Sequence, residues 1–262
     1  MPGEHAPTGS LTIAGAGIRP GVQTTHEARI SIERADKVLF AFAEDAPSEW
    51  LRDLNPTAES LAPLYRPGRP YRDVYEDIVS TILMWVRRDL HVCAVSYGHP
   101  GVLDRSSREA VRRASAEGYK TRFLPGISAL DCLFVDLEVD PGTSGCQMFD
   151  ATDFLVHSRA PDITVPLVLL QISLIGGMHA TAQVNYAGLD LLAQKIAEFY
   201  GPEHEVVIYE ATPFPVGSPT IERRPVRRLA DGEVSGMSSL FVPPASAPSR
   251  DPDMATRLNV PS

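Results

Sequence analysis

Cysteine is scarce: Cys93, Cys132 and Cys146 are all that 262 residues contain, with no C-x-x-C pair and no histidines at ligand spacing. That excludes a disulfide framework and a structural metal ribbon, so no metal site is expected and the thiols read as buried and reduced. Positive charge is also short. Lys and Arg number 24 against 33 Asp and Glu, a net charge of −9. Nucleic-acid phosphates draw on clustered cations, so a nucleic-acid partner is not expected. The basic pairs Arg112–Arg113, Arg223–Arg224 and Arg227–Arg228 are short and read as solvated faces. The opening MPGEHAPTGS has no basic stretch leading into an apolar run, which argues against a secretory signal. Residues 165–178 form the longest apolar run, but Gln171 interrupts it and it is too short to cross a bilayer. The resulting expectation is a cytoplasmic protein with no membrane partner and no internal repeat.

What is present is the composition of a globular α/β protein. Hydrophobic residues make up 44% and charged residues 22%, ordinary values in a length that holds one large core or two smaller ones. LTIAGAG (11–17) reads as a buried strand ending in a glycine turn. A helix follows at 24–35, with Thr24 or Thr25 as N-cap and Glu27 in its first turn. KVLFAFA (37–43) and HVCAVSY (91–97) are apolar strands, and 71–90 carries apolar residues at helical spacing. A helix is expected from about Ser106, with Ser106 and Glu109 as a capping box. Beyond it, LPGISALDCLFVDL (124–137) is a turn and short helix that Ser128 and Asp131 can cap. VPLVLLQIS (165–173), EVVIYEA (205–211) and SSLFVPP (238–244) are strands, and 186–200 is an amphipathic helix. The alternation predicts two α/β domains, 8–115 and 116–245, joined near 105–120. A Ser-, Pro- and Asp-rich tail, 246–262, is expected to be mobile.

Three stretches carry chemistry. The strand at 91–97 runs into AVSYGHPGV (94–102), which sets a tyrosine and a histidine at a strand-end turn. Ligands of open α/β sheets bind at strand ends, so this reads as a small-molecule cradle. GAGIRPG (15–21) is not a dinucleotide fingerprint. Pro20 stands where the third glycine is needed, and Asp36 lies at the start of the second strand instead of its end. LYRPGRPYRDVY (64–75) places Tyr71 and Tyr75 four apart, on one helix face, with Arg72 about 100° round from Tyr71. These are either core aromatics beside a surface arginine or phenols placed for catalysis.

LTIAGAGI, YGHPGV, LPGISA, the Gln171 of LLQIS and YEA near residue 210 resemble the tetrapyrrole-methylase superfamily of S-adenosylmethionine-dependent methyltransferases. Within it, the order and spacing of SLTIAGAGI, the tyrosine-rich stretch 65–75, SYGHPGV, EGYKTRFLPGISALDCLFVDLEVDPGTSGC and SSLFVPP are similar to the borosin peptide backbone α-N-methyltransferases. The resemblance covers about residues 10–245. It implies the two-domain tetrapyrrole-methylase (class III) fold, with the methyl donor, S-adenosylmethionine, bound between the domains. By motif match the donor meets Tyr97, His99, Val102, Ser128, Ala129, Gln171, Ala211, Ser238 and Ser239. Gln171, a polar amide inside an apolar run, reads as buried; a buried amide needs partners, and an adenine edge or neighbouring backbone supplies them. His99 is either a donor contact or a turn residue with a structural hydrogen bond.

The resemblance also implies a reaction. An amide nitrogen is a poor nucleophile, because its lone pair is delocalised into the carbonyl. Methylating it requires donors for the charge that builds on oxygen, a base for the proton and an aligned methyl group. Tyr65, Tyr75 and Tyr97 fall on the family's catalytic tyrosines. Tyr75 and Tyr97 are expected to hold the carbonyl, while Tyr65, Tyr71 and Arg72 assist deprotonation, a guanidinium favouring the phenolate form. The chain departs from the pattern in one place. Tyr71 stands where the family's arginine sits, which leaves Arg72, Arg69 and Arg66 as alternatives. Fused relatives end in their own substrate, and this sequence stops shortly after SSLFVPP. The expectation is therefore a separate precursor peptide, leader plus core, methylated in trans by a homodimer that forms a heterotetramer with two precursors. The rival readings are a corrin or porphyrin C-methyltransferase, a ribosomal-RNA ribose methylase, and a non-catalytic partner that binds the donor and the peptide.

Overall fold

A computed structural model of the chain describes residues 8–42, 46–180, 183–214 and 216–261. The first half contains β1 (Ser10–Gly15), α1 (His26–Glu33), β2 (Lys37–Phe40), α2 (Ala46–Leu54), β3 (Glu59–Ser60) and α3 (Tyr71–Val86). It continues through β4 (His91–Ser96), α4 (Arg105–Ala116), β5 (Lys120–Leu124) and α5 (Ala129–Asp136). The second half contains α6 (Pro141–Ser144), β6 (Gln147–Asp150), α7 (Ala151–Val156), β7 (Leu167–Leu170) and α8 (Tyr186–Tyr200). After these come β8 (Glu205–Glu210), β9 (Thr220–Pro225), β10 (Ser239–Val242) and α9 (Pro252–Arg257). The expected strand 37–43 ends at Phe40, and Ala43 lies outside the described residues.

Two compact units emerge. The first runs to Leu137 and takes in later segments beginning at Gly177 and Ala211; the second holds the remainder from Glu138. The division therefore falls later than residue 115. Strand β5 pairs in parallel with β1, Ser10 opposite Lys120 and Ala14 opposite Leu124, which keeps residues 120–124 in the first sheet.

That first sheet has the order β3-β2-β4-β1-β5, and every pairing in it is parallel. Its faces follow the strand period of two. Leu11, Ile13, Leu39, Val92 and Ala94 pack with Val74, Ile78 and Ile82 of α3 and Ala110 and Ala114 of α4. Ala14, Val38, Phe40, Cys93 and Val95 pack with Ala28 and Ile32 of α1 and Leu51 of α2. With both faces covered, the inner strands are apolar nearly throughout, as parallel sheets require. Strand β1 leads to α1 on one face, and its neighbour β4 leads to α4 on the other. Adjacent strands whose chains leave in opposite directions form a switch point, where such sheets bind ligands.

The second unit carries a mixed sheet, β6-β7-β10-β8-β9. Strand β10 runs antiparallel to both β7 and β8. Leu167, Leu169, Ile208, Leu240 and Val242 meet Phe154 of α7 and Leu189, Leu192 and Ile196 of α8 in one core.

Helix starts test the capping expectations directly. Thr25 caps α1, accepting from the Ala28 amide. Ser128 and Asp131 form the reciprocal box on α5. The cap of α4 is Asp104, not Ser106: its carboxylate accepts from the Ser107 amide, and the Ser106 hydroxyl donates to it at 3.0 Å. A carboxylate two residues earlier wins because it fills the same role with a full charge at the positive helix end. The tail is not uniformly irregular. Asp251 caps α9 through the Met254 amide, with Pro252 at its first position, a pairing that starts helices readily.

Of the thiols, Cys93 is buried, and burial pushes it up to about 12. Cys132 and Cys146 are only half-buried, because each sits on a unit's periphery and not in its core. The basic pairs are neutralised. Arg112 and Arg113 bind Glu109, Arg113 also binds Glu76 at 2.6 Å, and Arg227 meets Glu203 at 2.5 Å. No helix among the described residues is long and apolar enough to cross a membrane.

Candidate functional site

In the first unit the turns after β1, β4 and β5 converge on backbone. A Cβ added at Gly15 would lie 2.7 Å from the Gly98 carbonyl oxygen and 2.8 Å from the Gly126 Cα. Gly17 and Gly98, both at positive φ, exchange backbone hydrogen bonds of 3.2 and 3.1 Å. Only glycine permits this approach, so GAG, YGHPG and LPG hold one another at the switch point.

The HPGV turn closes on itself. The Val102 amide donates to the His99 carbonyl at 3.0 Å, and the Gly101 amide donates to His99 Nδ1 at 2.7 Å. An Nδ1 that accepts leaves the ring proton on Nε2. His99 thus performs the structural turn role that its sequence context allowed. The turn ends in Leu103 at φ 56°, a left-handed non-glycine residue of the kind that clusters at functional sites. Tyr97 packs its ring 6.3 Å from that of Phe42. Ser128 has its hydroxyl committed, donating to Asp131 at 2.7 Å and accepting from the Asp131 amide at 3.2 Å. Ala129 is the first residue of α5.

The tyrosines gather at the start of α3 and in the loop before it. Tyr71 and Tyr75 stack at 5.8 Å with planes 21° apart. The loop that leads to them is held by a later segment. Gly68 and Tyr71 donate to the carbonyls of Ala180 and Met178 at 3.0 Å each, and Ala180 donates to Arg69 at 2.8 Å. Tyr65 and Tyr75 are both half-buried against the core beneath α3. Burial raises both phenols above their ordinary range, and the Asp104 carboxylate adds to it. For these two phenols desolvation outweighs the pull of any cation.

Asp104 sits beside them with four donors: the hydroxyls of Ser96 and Ser107 at 2.6 Å each, that of Ser106, and the Ser107 amide at 2.9 Å. Sequence reading missed it, although a cap-type residue directly after YGHPGVL was the available signal. Of the three arginines considered, Arg66 and Arg72 are exposed. Arg69 is paired with Asp77 at 2.5 Å and donates to the Leu64 carbonyl at 3.5 Å.

In the second unit, residues from separate stretches line up at one end of the inner strands. Ser239 lies opposite Tyr209, and Leu240 opposite Leu169. That register brings Ser238 to Glu210. Glu210 accepts from Ser238 at 3.2 Å and from Ser235, and it precedes the buried Ala211. Gln171 is not the buried amide that its apolar neighbours suggested. It is exposed, and left-handed at φ 58°. The strand ends at Leu170, and the chain turns there into the 3-10 turn Ile172–Leu174.

Known proteins give this arrangement a family. The chain is 36% identical over 257 residues to a methyltransferase/ribosomally synthesized cyclic peptide gymnopeptides precursor of Gymnopus fusipes, covering 96% of this chain and 61% of that relative. It is 35% identical to a methyltransferase/omphalotin A precursor of Omphalotus olearius, over 96% of this chain and 62% of that one. The chain thus spans less than two thirds of these relatives' length. Among solved structures, a uroporphyrin-III-C-methyltransferase from Thermus thermophilus superposes with a TM-score of 0.63 at 17% identity, over 91% of this chain and 93% of that one. The cobalt precorrin-4 methyltransferase CbiF gives 0.63 at 16% identity, over 95% and 100%. Both share the fold, that of the class III methyltransferases. Residues 10–215 match the profile of the tetrapyrrole (corrin/porphyrin) methylases, and with most of its length accounted for in this way the chain belongs to the tetrapyrrole methylase family.

Proposed function

We propose that the chain is an S-adenosylmethionine-dependent methyltransferase that N-methylates backbone amides of a peptide precursor supplied as a separate chain. The observation that carries the reading is the cluster of half-buried Tyr65, Tyr71 and Tyr75, the last two stacked, near the Asp104 cap. A methylase acting on a ring carbon has no need of phenols gathered this way. The printed names of the relatives, which pair a methyltransferase with a cyclic-peptide precursor, support the same substrate class.

S-adenosylmethionine, when bound, supplies an electrophilic methyl group. The residues that would hold it are Tyr97, His99, Val102, Ser128, Ala129, Gln171, Ala211, Ser238 and Ser239. The glycine turns fit such a ligand, since a bare backbone at a switch point admits close approach. His99 and Ser128 have their inward polar atoms committed to turn and cap, so both would position backbone amides more than contact the ligand with side chains.

Protonated phenols suit the amide half of the reaction. Tyr75 and Tyr97 donate to the carbonyl oxygen, and such donors gain strength as charge builds there. Tyr65, raised by burial, serves as a donor, and the amide proton given up as the methyl group passes from sulfur to nitrogen leaves by way of the half-exposed Tyr71 and the exposed Arg72 to water. We take the working assembly to be a homodimer with two precursors, located in the cytoplasm.

The test supplies S-adenosylmethionine and a synthetic peptide with a helical leader and an apolar, β-branched core. Mass spectrometry then counts added methyl groups and locates them by fragmentation. Methyl groups on backbone nitrogens are the expected result. Methylation of a porphyrinogen ring instead would move the chain to the corrin and porphyrin branch, and donor binding with no transfer would make it a non-catalytic partner.

A further inference from the structure

The strand end at Glu210 holds a carboxylate whose two oxygens have unequal surroundings. The hydroxyls of Ser235 and Ser238 both donate to the same atom, Oε2. Among the described residues no hydrogen bond or ion pair reaches Oε1. Glu210 is half-buried and follows four fully buried residues of β8, Val206 to Tyr209. A carboxylate drawn part-way out of water is costly wherever one of its oxygens lacks a donor.

The same network fixes where its hydrogens point. The Ser235 amide donates to Ser238 Oγ at 2.9 Å, and the Met237 amide donates to Ser235 Oγ at 3.0 Å. Each hydroxyl thus accepts from backbone and spends its single hydrogen on Glu210. Ser238 is 3% exposed, and its hydroxyl has no hydrogen left for a ligand. What the serines offer instead is an aimed side chain, held in one orientation with Oε1 turned away from them. Clipping the loop 235–238 to the strand would need neither a full charge nor a second hydroxyl.

We propose, resting on the assignment of Ser238, Ser239 and the adjoining Ala211 to S-adenosylmethionine, that Glu210 is a further contact for the methyl donor, its Oε1 accepting a hydrogen from an N–H of that molecule. The donor has two such groups, the ammonium of its amino-acid end and the exocyclic amine of its purine. Its ribose diol is a poorer match, because chelating two hydroxyls takes both carboxylate oxygens and Oε2 is already filled. A hydrogen bond to an ionised acceptor is roughly twice as strong as a neutral one, so this one side chain contributes a measurable share of the affinity.

Calorimetry with S-adenosylhomocysteine, the demethylated product, reads the contact without turnover. Glu210→Gln keeps the shape and the serine bonds. Its amide oxygen must face the two hydroxyls, which turns its NH2 toward the ligand and sets donor against donor. Affinity is expected to fall roughly 10- to 100-fold, with the denaturant midpoint near the parent's. Glu210→Ala, which deletes the network, should lower the midpoint more and the affinity less, the reverse of what a purely structural carboxylate gives. Glu205→Gln, exposed at the other end of β8, is expected to change neither. Methylthioadenosine lacks the amino-acid end, and S-inosylhomocysteine lacks the purine amine. Whichever analogue binds the parent and Glu210→Gln alike names the group that Oε1 meets. Equal affinity of the two proteins for S-adenosylhomocysteine, or an undiminished difference between them with both analogues, overturns the proposal. A parent that binds no S-adenosylhomocysteine fails the donor assignment itself, whereas one that binds it and methylates no peptide fails only the peptide reading.

Discussion

A phenol held above its ordinary range donates a hydrogen bond at neutral pH and takes up no proton. Tyr75→Phe removes one such donor while keeping the ring that stacks on Tyr71. The expected loss is ~10²–10³ in the rate of amide methylation, or roughly 3–4 kcal/mol, with little change in affinity for S-adenosylmethionine. Methylation at the parent rate would make Tyr75 a packing residue. The same burial has a consequence for stability. Tyr65 is raised in the folded chain, whereas an unfolded tyrosine ionises at about 10. Above that pH the unfolded state loses its proton first, so the contribution of Tyr65 is complete below about pH 10 and declines as pH rises beyond it. Denaturant midpoints measured across that range should fall, and Tyr65→Phe should flatten the fall.

The helices divide into those anchored by a cap and those held mainly by their apolar face. Helix α5 has only Leu133 fully buried, so its start depends on the Ser128–Asp131 box. Ser128→Ala should cost about 1 kcal/mol, within the range for lost N-caps, seen as a lower denaturant midpoint at unchanged slope. A loss of donor affinity much larger than that of stability would show that the serine itself meets the ligand. Helix α3, with Val74, Ile78, Val79, Ile82, Leu83 and Val86 buried and no side-chain cap, is legible from spacing alone. The cap of α4 was not, because Ser106 and Glu109 satisfy the pattern of a capping box. Only the fold brings Ser96 and Ser107 onto Asp104.

At the scale of the molecule, ligand binding and assembly are read by mass action. S-adenosylmethionine at about 100 times its dissociation constant should stabilise the folded chain by about 2.7 kcal/mol, visible as a higher Tm, and NADH should not. The reverse result would return the glycine turns to a dinucleotide. Light scattering of the active protein at micromolar concentration is expected to report a dimer, and a monodisperse active monomer would remove the homodimer from the proposal.

The sequence by itself determined the inner strands, the amphipathic helices and the strand-end turns. Strands β1, β2, β4, β7, β8 and β10 are buried on both faces or nearly so, and such burial must be written in side chains. The strands that escaped notice are β3, β5, β6 and β9, which are the edges of the two sheets. KTRFL and TIERRP are mostly exposed or half-exposed. An edge strand is recruited by backbone hydrogen bonds that every residue carries, and exposed polar side chains there discourage further pairing. The site divides in the same way. YGHPGV, LPGISA and the three tyrosines are legible because their residue types are unusual at strand ends and helix starts. The exposure of Gln171, the upward shift of Tyr65 and Tyr75, and the arrival of Asp104 near them were decided by tertiary structure, since burial and electric fields depend on neighbours that the chain brings together only when it folds.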